Sequence, residues 1–153
     1  MRYRLTKLRV TVIREGAPPP RILSSPEDVV RLATEFANLE DDDREHFWAV
    51  CLDAKNRYLG HFEISAGGTS ETPVDPKVVF RQALVAGAVH LILVHNHPSG
   101  DPTPSRADRA LTRDLAEGAK LLGLGLHDHL IVGSGTGRWV SLAQQGGIQD
   151  MRE

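Results

Sequence analysis

The sequence predicts an α/β fold in which a mixed β-sheet is sandwiched by helices, and three observations lead to this class. Segments with helical patterns alternate with short apolar runs along the chain, which is typical of α/β proteins. Some of these runs pair as hairpins, so the sheet is mixed rather than wholly parallel. The chain has 153 residues, of which 41% are hydrophobic and 25% charged, and this balance predicts one compact domain.

The chain divides into three segments. Residues 1–24 contain a strand-like alternation over residues 3–13, followed by the proline-rich stretch "GAPPP". We expect this segment to pack on the main domain, which we place at residues 25–145. Residues 146–153 are expected to form a C-terminal tail.

Three helices follow from local start signals. Ser25 is a cap residue, and the proline and two acids after it suit the first helical turn. The second helix is predicted from Asp75 to about Ala88, and the third from about Arg106 to Leu122. The apolar face of the first helix consists of Val29, Leu32, Ala33 and Phe36.

Five strands are predicted after the first helix. Residues 46–53 and 58–65 are joined by the short connection "AKNR", which predicts a hairpin. Residues 89–94 form a short run of branched side chains bounded upstream by a glycine, which suits a central buried strand. Residues 127–133 and 138–142 predict two further strands around the turn "SGTG".

Composition and charge narrow the classes of function. The net charge of −2 gives no overall electrostatic footprint for nucleic acid, and no apolar run reaches the roughly 18 residues of a membrane span. The single cysteine, Cys51, cannot form an internal disulfide and lies in an apolar run, so we expect a buried thiol. The N-terminus lacks the apolar centre of a signal peptide, and we expect a cytoplasmic protein.

The third helix has a basic face. Its arginine and lysine residues recur at spacings that place them on one side of the helix. A solvated face is the simpler interpretation, and docking of an acidic partner or a phosphate backbone is the functional alternative. The residues of this face are Arg106, Arg109, Arg113 and Lys120.

The stretch "VHNHPSGDPTPSRAD", residues 94–108, carries the strongest chemical signal. Because side chains two apart on a strand point to the same face, His95 and His97 leave the end of the central strand together. Asp108 falls in the first turn of the third helix, on the side of its apolar stripe. A carboxylate facing inward needs a partner, and a cation held by the two histidines would satisfy it. The stripe consists of Leu111, Leu115 and Leu122.

Two imidazoles and one carboxylate form a three-ligand set that leaves a fourth tetrahedral position for water, as in catalytic zinc sites. Hydrolysis is the chemistry that such a set favours, and it needs a further carboxylate to carry the proton. Glu63 is our candidate, because its strand could lie beside the histidine strand. Glu71, in the loop "TSETPVD", is a second carboxylate upstream of the histidines.

Simpler interpretations of the same residues stay open. Ser105 and Asp108 fit a helix capping box, which alone explains both residues. His95 and His97, taken singly, are more often polar residues at a strand end than metal ligands. The ordered set of H-x-H-P, serine and aspartate is far more specific than a lone pair of histidines.

The stretch "HNHPSGDPTPSRAD" resembles the JAMM signature of the JAB/MPN metalloproteases. The runs "LDAKNRYL", "GGT", "DPKVVFRQAL" and "DHLIVG" are similar to the bacterial RadC-like branch of that family, and the similarity extends from about Ser25 to Leu142. It implies the JAB1/MPN architecture, which is cytidine-deaminase-like, and a zinc-dependent peptidase or isopeptidase. The substrates implied are peptides or proteins, including ubiquitin-like C-termini.

The resemblance also implies roles for individual residues. His95, His97 and Asp108 would bind one Zn²⁺ per chain, and Glu63 would be the general acid/base that hydrogen-bonds the zinc-bound water. Ser105 would stabilise the oxyanion that forms when water attacks an amide carbonyl.

Two other functions stay open beside the enzyme. RadC-like proteins usually carry a helix-hairpin-helix region before the JAB domain, where this sequence has a strand-like segment and "GAPPP". The alternatives are a non-catalytic interaction module and a DNA-associated protein that uses the basic helix face. We interpret Asp128 and His129 as structural hydrogen-bonding residues at a strand start, and the sequence predicts no oligomeric state.

Overall fold

The computed structural model describes residues 21–37, 43–66 and 74–148. Within them the chain forms three helices and five strands, which confirms the predicted α/β class. In chain order the elements are α1 (Pro26–Phe36), β1 (His46–Leu52), β2 (Tyr58–Ala66), α2 (Pro76–Val85), β3 (His90–His97), α3 (Arg106–Leu121), β4 (Gly125–Gly133) and β5 (Trp139–Ser141). No helix in these residues is both long enough and apolar enough to cross a lipid bilayer.

All five strands belong to one mixed sheet with the order β2-β1-β3-β4-β5. β3 and β4 are parallel and connected through α3, whereas the other neighbours are antiparallel. The predicted hairpin is confirmed as β1 and β2. Its first strand, β1, pairs with β3, so the expectation that the strand of Glu63 lies beside the histidine strand is wrong.

Helices cover both faces of this sheet. On one face, α2 and α3 pack against alternate strand residues such as Phe47, Ala49 and Leu93. On the other face, α1 packs against the residues in between, such as Val50 and Val94. Because β3 is central and covered on both sides, it needs apolar side chains on each face, which explains its continuous apolar run.

Cys51 is buried in the core between the sheet and helices α2 and α3, as predicted. Burial penalises the thiolate and raises the pKa of this thiol to about 11. The thiol is therefore protonated at neutral pH and behaves as a small apolar side chain.

The predicted helix starts are confirmed, and two helix ends need correction. α2 ends at Val85, before the predicted Ala88, because Gly87 adopts a left-handed φ of 70°, which is typical of a helix end. Leu122 lies just past α3 and is 44% exposed, so it does not share the buried face with Leu115. The cap residues that accept hydrogen bonds from their helices are Ser25, Asp75 and Ser105.

Some predictions fall outside the described residues. These are the strand at residues 3–13, the "GAPPP" stretch and the loop position of Glu71. At the other end of the chain, Ile148 lies in the predicted tail and is buried against Leu142.

Candidate metal centre

Two histidines lie at the carboxyl end of the central strand β3. His95 is fully buried, and its ring stacks on Phe47 with 4.8 Å between the ring centroids. His97 lies two residues later on the same face and is partly exposed. The Nε2 atoms of the two rings are 3.0 Å apart, so the predicted alignment of the imidazoles is confirmed.

The loop after β3 is held by backbone contacts with the β4–β5 turn. Gly100 has a φ of 87°, a conformation that favours glycine, and its N–H donates to the carbonyl of His97 at 3.0 Å. Its carbonyl accepts from the Arg138 guanidinium at 3.2 Å. The N–H of Ser134 also donates to the His97 carbonyl, at 3.1 Å. These contacts turn the chain so that α3 begins next to the histidines.

Asp108 faces the histidines from the first turn of α3. Its Oδ1 lies 3.3 Å from Nε2 of His95, and its Oδ2 lies 3.1 Å from Nε2 of His97. The capping box is also present, because Asp108 Oδ2 accepts from the N–H of Ser105 and Ser105 Oγ accepts from the N–H of Asp108. The capping box and the inward-facing carboxylate are therefore both present, because the cap fixes the orientation of the carboxylate.

A second carboxylate reaches this group from a residue that the sequence analysis did not select. Glu45 directly precedes β1, and its Oε1 lies 3.5 Å from Nε2 of His95. One ligand atom from each of Glu45, His95 and His97 lies within 4.8 Å of the others, a group that could hold a metal ion. Strand alternation places Glu45 on the same face as Phe47, which pairs directly with His95.

Asn96 fixes the backbone on both sides of Glu45. Its Oδ1 accepts from the N–H of His46 at 2.7 Å, and its Nδ2 donates to the carbonyl of Arg44 at 2.7 Å. Asn96 lies between the two histidines on β3 and is 1% exposed. It was not selected from the sequence either, although its place inside the H-x-H pair is a signal that could have drawn attention to it.

Glu63 is not part of this group. It pairs with Trp48 across β1 and β2, and its Oε1 lies 2.6 Å from Nδ1 of His46. Its neighbours in sequence, Phe62 and Ile64, pack on the α2–α3 face. Glu63 therefore points to the opposite face of the sheet from the histidine pair, one strand further away than expected.

The charge distribution of the site favours an ionised Asp108. Burial by itself raises the pKa of this carboxyl, but the neighbouring imidazoles of His95 and His97 outweigh burial and hold the pKa well below its usual range. Contact with the Asp108 carboxylate in turn raises the pKa of His97, against the opposing effect of its burial.

The acceptor atoms of the site fit a bound cation. Nδ1 of His97 lies 2.9 Å from the backbone carbonyl of Asp101, which can only accept, so in the neutral imidazole Nδ1 carries the proton and Nε2 presents a lone pair to the site. Carboxylate oxygens of Asp108 and Glu45 face the same point. Lone pairs that converge in a buried place repel one another unless a positive charge lies between them, and a metal ion supplies that charge.

Asp128 and His129, expected to be structural hydrogen-bonding residues, are both buried in β4. Asp128 accepts from the Ser141 hydroxyl at 2.6 Å and from two backbone N–H groups, which ties β4 to the chain after β5. His129 contacts His95, with 2.7 Å between Nε2 and Nδ1. His127 instead packs against the His90 ring, with 3.9 Å between the ring centroids.

The basic face of α3 is exposed along its whole length. Arg109 donates to Gln145 at 3.0 Å, which links the helix to the chain after β5. The four basic residues are Arg106, Arg109, Arg113 and Lys120, and each is exposed.

Comparison of the sequence with known proteins identifies the family of this chain. A family model described as the RadC-like JAB domain matches residues 23–147. A UPF0758 protein of Coprothermobacter proteolyticus is 45% identical over 125 residues, which cover 80% of this chain and 52% of that protein. A UPF0758 protein of Methanosarcina barkeri is 38% identical over 147 residues, which cover 96% of this chain and 61% of that protein.

The chain spans between one half and about three fifths of the length of these two relatives. The matched residues include the strands, the loop and the helix that bring the two histidines, Asp108 and Glu45 together. On the family match and the mixed five-stranded sheet with its three helices, this chain belongs to the RadC-like JAB domain family of the JAB/MPN group.

Proposed function

We propose that this domain is a zinc-dependent amide hydrolase, a peptidase or isopeptidase, in which His95, His97 and Asp108 hold the metal ion. The observation that carries the proposal is the convergence of two imidazole Nε2 atoms, 3.0 Å apart, with carboxylates from two different elements. Imidazole and carboxylate ligands suit zinc, and three protein ligands leave a coordination position for water.

Asp108 rather than Glu45 is the third ligand in this proposal. The Asp108 carboxylate contacts both imidazoles, at 3.3 Å and 3.1 Å, and is oriented by the N–H of Ser105. Glu45 approaches only His95, at 3.5 Å, which suits a group that acts on a water molecule beside the metal.

Glu45 is our general acid/base, in the role first expected of Glu63. Zinc bound at this site would lower the pKa of its water to about 7 and polarise the substrate carbonyl. The Glu45 carboxylate accepts the proton of the attacking water and passes it to the departing amine. The Ser105 hydroxyl accepts from the N–H of Asp108, so its own proton is available to donate to the oxyanion of the substrate.

The substrate that we propose is a peptide or protein, and a ubiquitin-like C-terminus is one candidate on account of the family resemblance. A non-catalytic interaction module has no need for four converging ligand groups beside a serine hydroxyl. A DNA-associated role would depend on the basic face of α3, which the proposed hydrolysis does not use.

The test of the proposed function is the metal content of the purified protein, measured by plasma mass spectrometry for the wild type and three variants. We expect one zinc per chain in the wild type, in Glu45→Gln and in Glu63→Gln, and loss of zinc in His97→Ala. On a panel of peptide and isopeptide substrates, Glu63→Gln keeps hydrolysis and Glu45→Gln loses it. A folded wild-type protein that takes up no zinc after incubation with the metal overturns the proposal.

A further inference from the structure

A buried chain of hydrogen bonds runs from the ligand histidine His95 into α3. Nδ1 of His95 lies 2.7 Å from Nε2 of His129 on β4. Nδ1 of His129 lies 2.6 Å from Oγ1 of Thr112, and Oγ1 of Thr112 lies 2.6 Å from the backbone carbonyl of Asp108. His95 and His129 are fully buried and Thr112 is 1% exposed, so water does not compete for these contacts.

The last contact of the chain determines where every proton in it lies. A carbonyl oxygen can only accept, so the Thr112 hydroxyl donates to Asp108, as threonines in helices often do to the residue four before them. A hydroxyl has one proton, so Thr112 then accepts from Nδ1 of His129. Nε2 of a neutral His129 has only a lone pair, and it accepts from Nδ1 of His95.

We propose that His129 and Thr112 are positioning residues that hold His95 in the tautomer with its proton on Nδ1, so that Nε2 presents a lone pair to the metal ion. This inference rests on the proposed function and deepens it, because it assigns the residues that prepare one of the metal ligands. The reverse order of protons would place an N–H of His95 in the position of the metal ion.

Different partners hold the Nδ1 proton of the two proposed ligand histidines, and in both cases Nε2 is left to face the metal ion. His97 donates from Nδ1 directly to the carbonyl of Asp101, at 2.9 Å. His95 is fully buried and contacts His129, which in turn contacts Thr112. Asp108 lies at both ends of the second route, since its carbonyl ends the chain of hydrogen bonds and its carboxylate faces Nε2 of His95.

The test compares Thr112→Val, which keeps the shape and removes the hydroxyl, with Thr112→Ser, which restores it. Ser141→Ala is the matched control, because Ser141 is a buried hydroxyl that binds Asp128 and takes no part in this chain. Thermal unfolding of the metal-free proteins is measured first, so that loss of structure is separated from loss of metal binding.

Zinc affinity is then measured by competition with a chromophoric chelator. We expect Thr112→Val to bind zinc about 10- to 100-fold more weakly than the wild type, the usual effect of removing an indirect partner of a metal ligand. Thr112→Ser and Ser141→Ala are expected to bind zinc as the wild type does. Wild-type affinity in Thr112→Val overturns the proposal.

Proton–nitrogen correlation spectra of isotope-labelled, metal-free wild type give a second readout that needs neither zinc nor hydrolysis. We expect His95 and His129 both to carry a proton on Nδ1, and a His95 with its only proton on Nε2 overturns the proposal even if no Thr112 variant folds. A wild type with the expected tautomers that binds no zinc overturns the proposed function and leaves the hydrogen-bond assignment in place.

Discussion

Asn96 holds the backbone that carries Glu45. The Asn96 amide binds the backbone on both sides of this glutamate, through the N–H of His46 and the carbonyl of Arg44, each at 2.7 Å. Because Asn96 lies between His95 and His97 on β3, one strand end carries two proposed metal ligands and the residue that places the proposed acid/base beside them.

Replacing Asn96 by alanine is expected to destabilise the domain and to misplace Glu45. The N–H of His46 and the carbonyl of Arg44 lose their partner, and each lost hydrogen bond costs about 0.5–1.5 kcal/mol. Urea unfolding of the metal-free protein measures the loss of free energy. Ser134→Ala is the control, since it removes only the 3.1 Å bond between Asn96 and the Ser134 hydroxyl and leaves both backbone bonds intact. Equal destabilisation in the two variants would contradict this account.

The pair Glu45→Gln and Glu63→Gln separates two carboxylates on opposite faces of one sheet. Glutamine keeps the shape of the side chain and cannot accept the proton of a water molecule, so Glu45→Gln is expected to lose about 100-fold or more of the hydrolysis rate while it keeps zinc. Glu63→Gln removes a contact with His46 and is expected to hydrolyse at the wild-type rate. A larger loss of rate in Glu63→Gln than in Glu45→Gln would reverse the assignment.

These two glutamates show what the sequence could and could not predict. The alignment of His95 and His97 follows from the period of a strand, and the inward position of Asp108 follows from the helix face and its capping box, all of which are local patterns. Which strand pairs with β3, in contrast, cannot be predicted from a local pattern. Either strand of the hairpin could have paired with β3, and choosing β2 selected Glu63, whereas the pairing of Phe47 with His95 brings Glu45 to the histidines.

The roles of Asn96 and His129 were hidden from the sequence for the same reason. The contact of Asn96 with residues 44 and 46 spans about 50 positions, and the contact of His95 with His129 spans 34. Each depends on the order of strands β1, β3 and β4 in the sheet. The polar side chains of Asn96 and His129 indicate that both form hydrogen bonds, but their partners are known only once the order of the strands is known.

The stability of the domain is expected to fall in mild acid because of His61. Burial lowers the pKa of this histidine below its usual value of 6.5, so the unfolded chain binds the proton more readily than the folded one. The contribution of His61 to stability is therefore complete above about pH 6.5 and is lost as the pH falls toward the lower pKa of the folded state. The ring stacks on Phe36 with 3.7 Å between the ring centroids, and its Nδ1 contacts the Tyr58 hydroxyl.

Urea unfolding at about pH 7.5 and about pH 5.5, on either side of an ordinary histidine pKa, measures this effect. His61→Gln is the matched variant, and it should lose less stability between the two pH values than the wild type does. The two proteins differ only at residue 61, so the difference between their losses reports His61. An equal or larger loss in His61→Gln would show that burial of His61 does not set the pH dependence.

Gly133→Ala is expected to weaken zinc binding by displacing the loop between His97 and Asp108. A Cβ atom at Gly133 would lie 2.1 Å from the carbonyl oxygen of Gly100, far inside the roughly 3.5 Å of an ordinary contact between heavy atoms. The backbone of Gly133 itself is not strained, so the effect comes from displacing Gly100 and the Thr136 hydroxyl, which the Cβ would meet at 2.9 Å. That carbonyl belongs to the loop between His97 and Asp108, and its movement separates the two ligands.

We therefore expect Gly133→Ala to bind zinc at least about tenfold more weakly, with a loss of about 1–3 kcal/mol in the free energy of unfolding, as for other overpacked sites. Gly123→Ala is the control, because its Cβ meets open space and its cost of about 1–2 kcal/mol comes only from a left-handed φ of 72°. The two variants should thus lose similar stability and differ in zinc affinity, which chelator competition measures. Equal zinc affinity in both would mean that the Gly100 carbonyl does not hold the ligand loop in place.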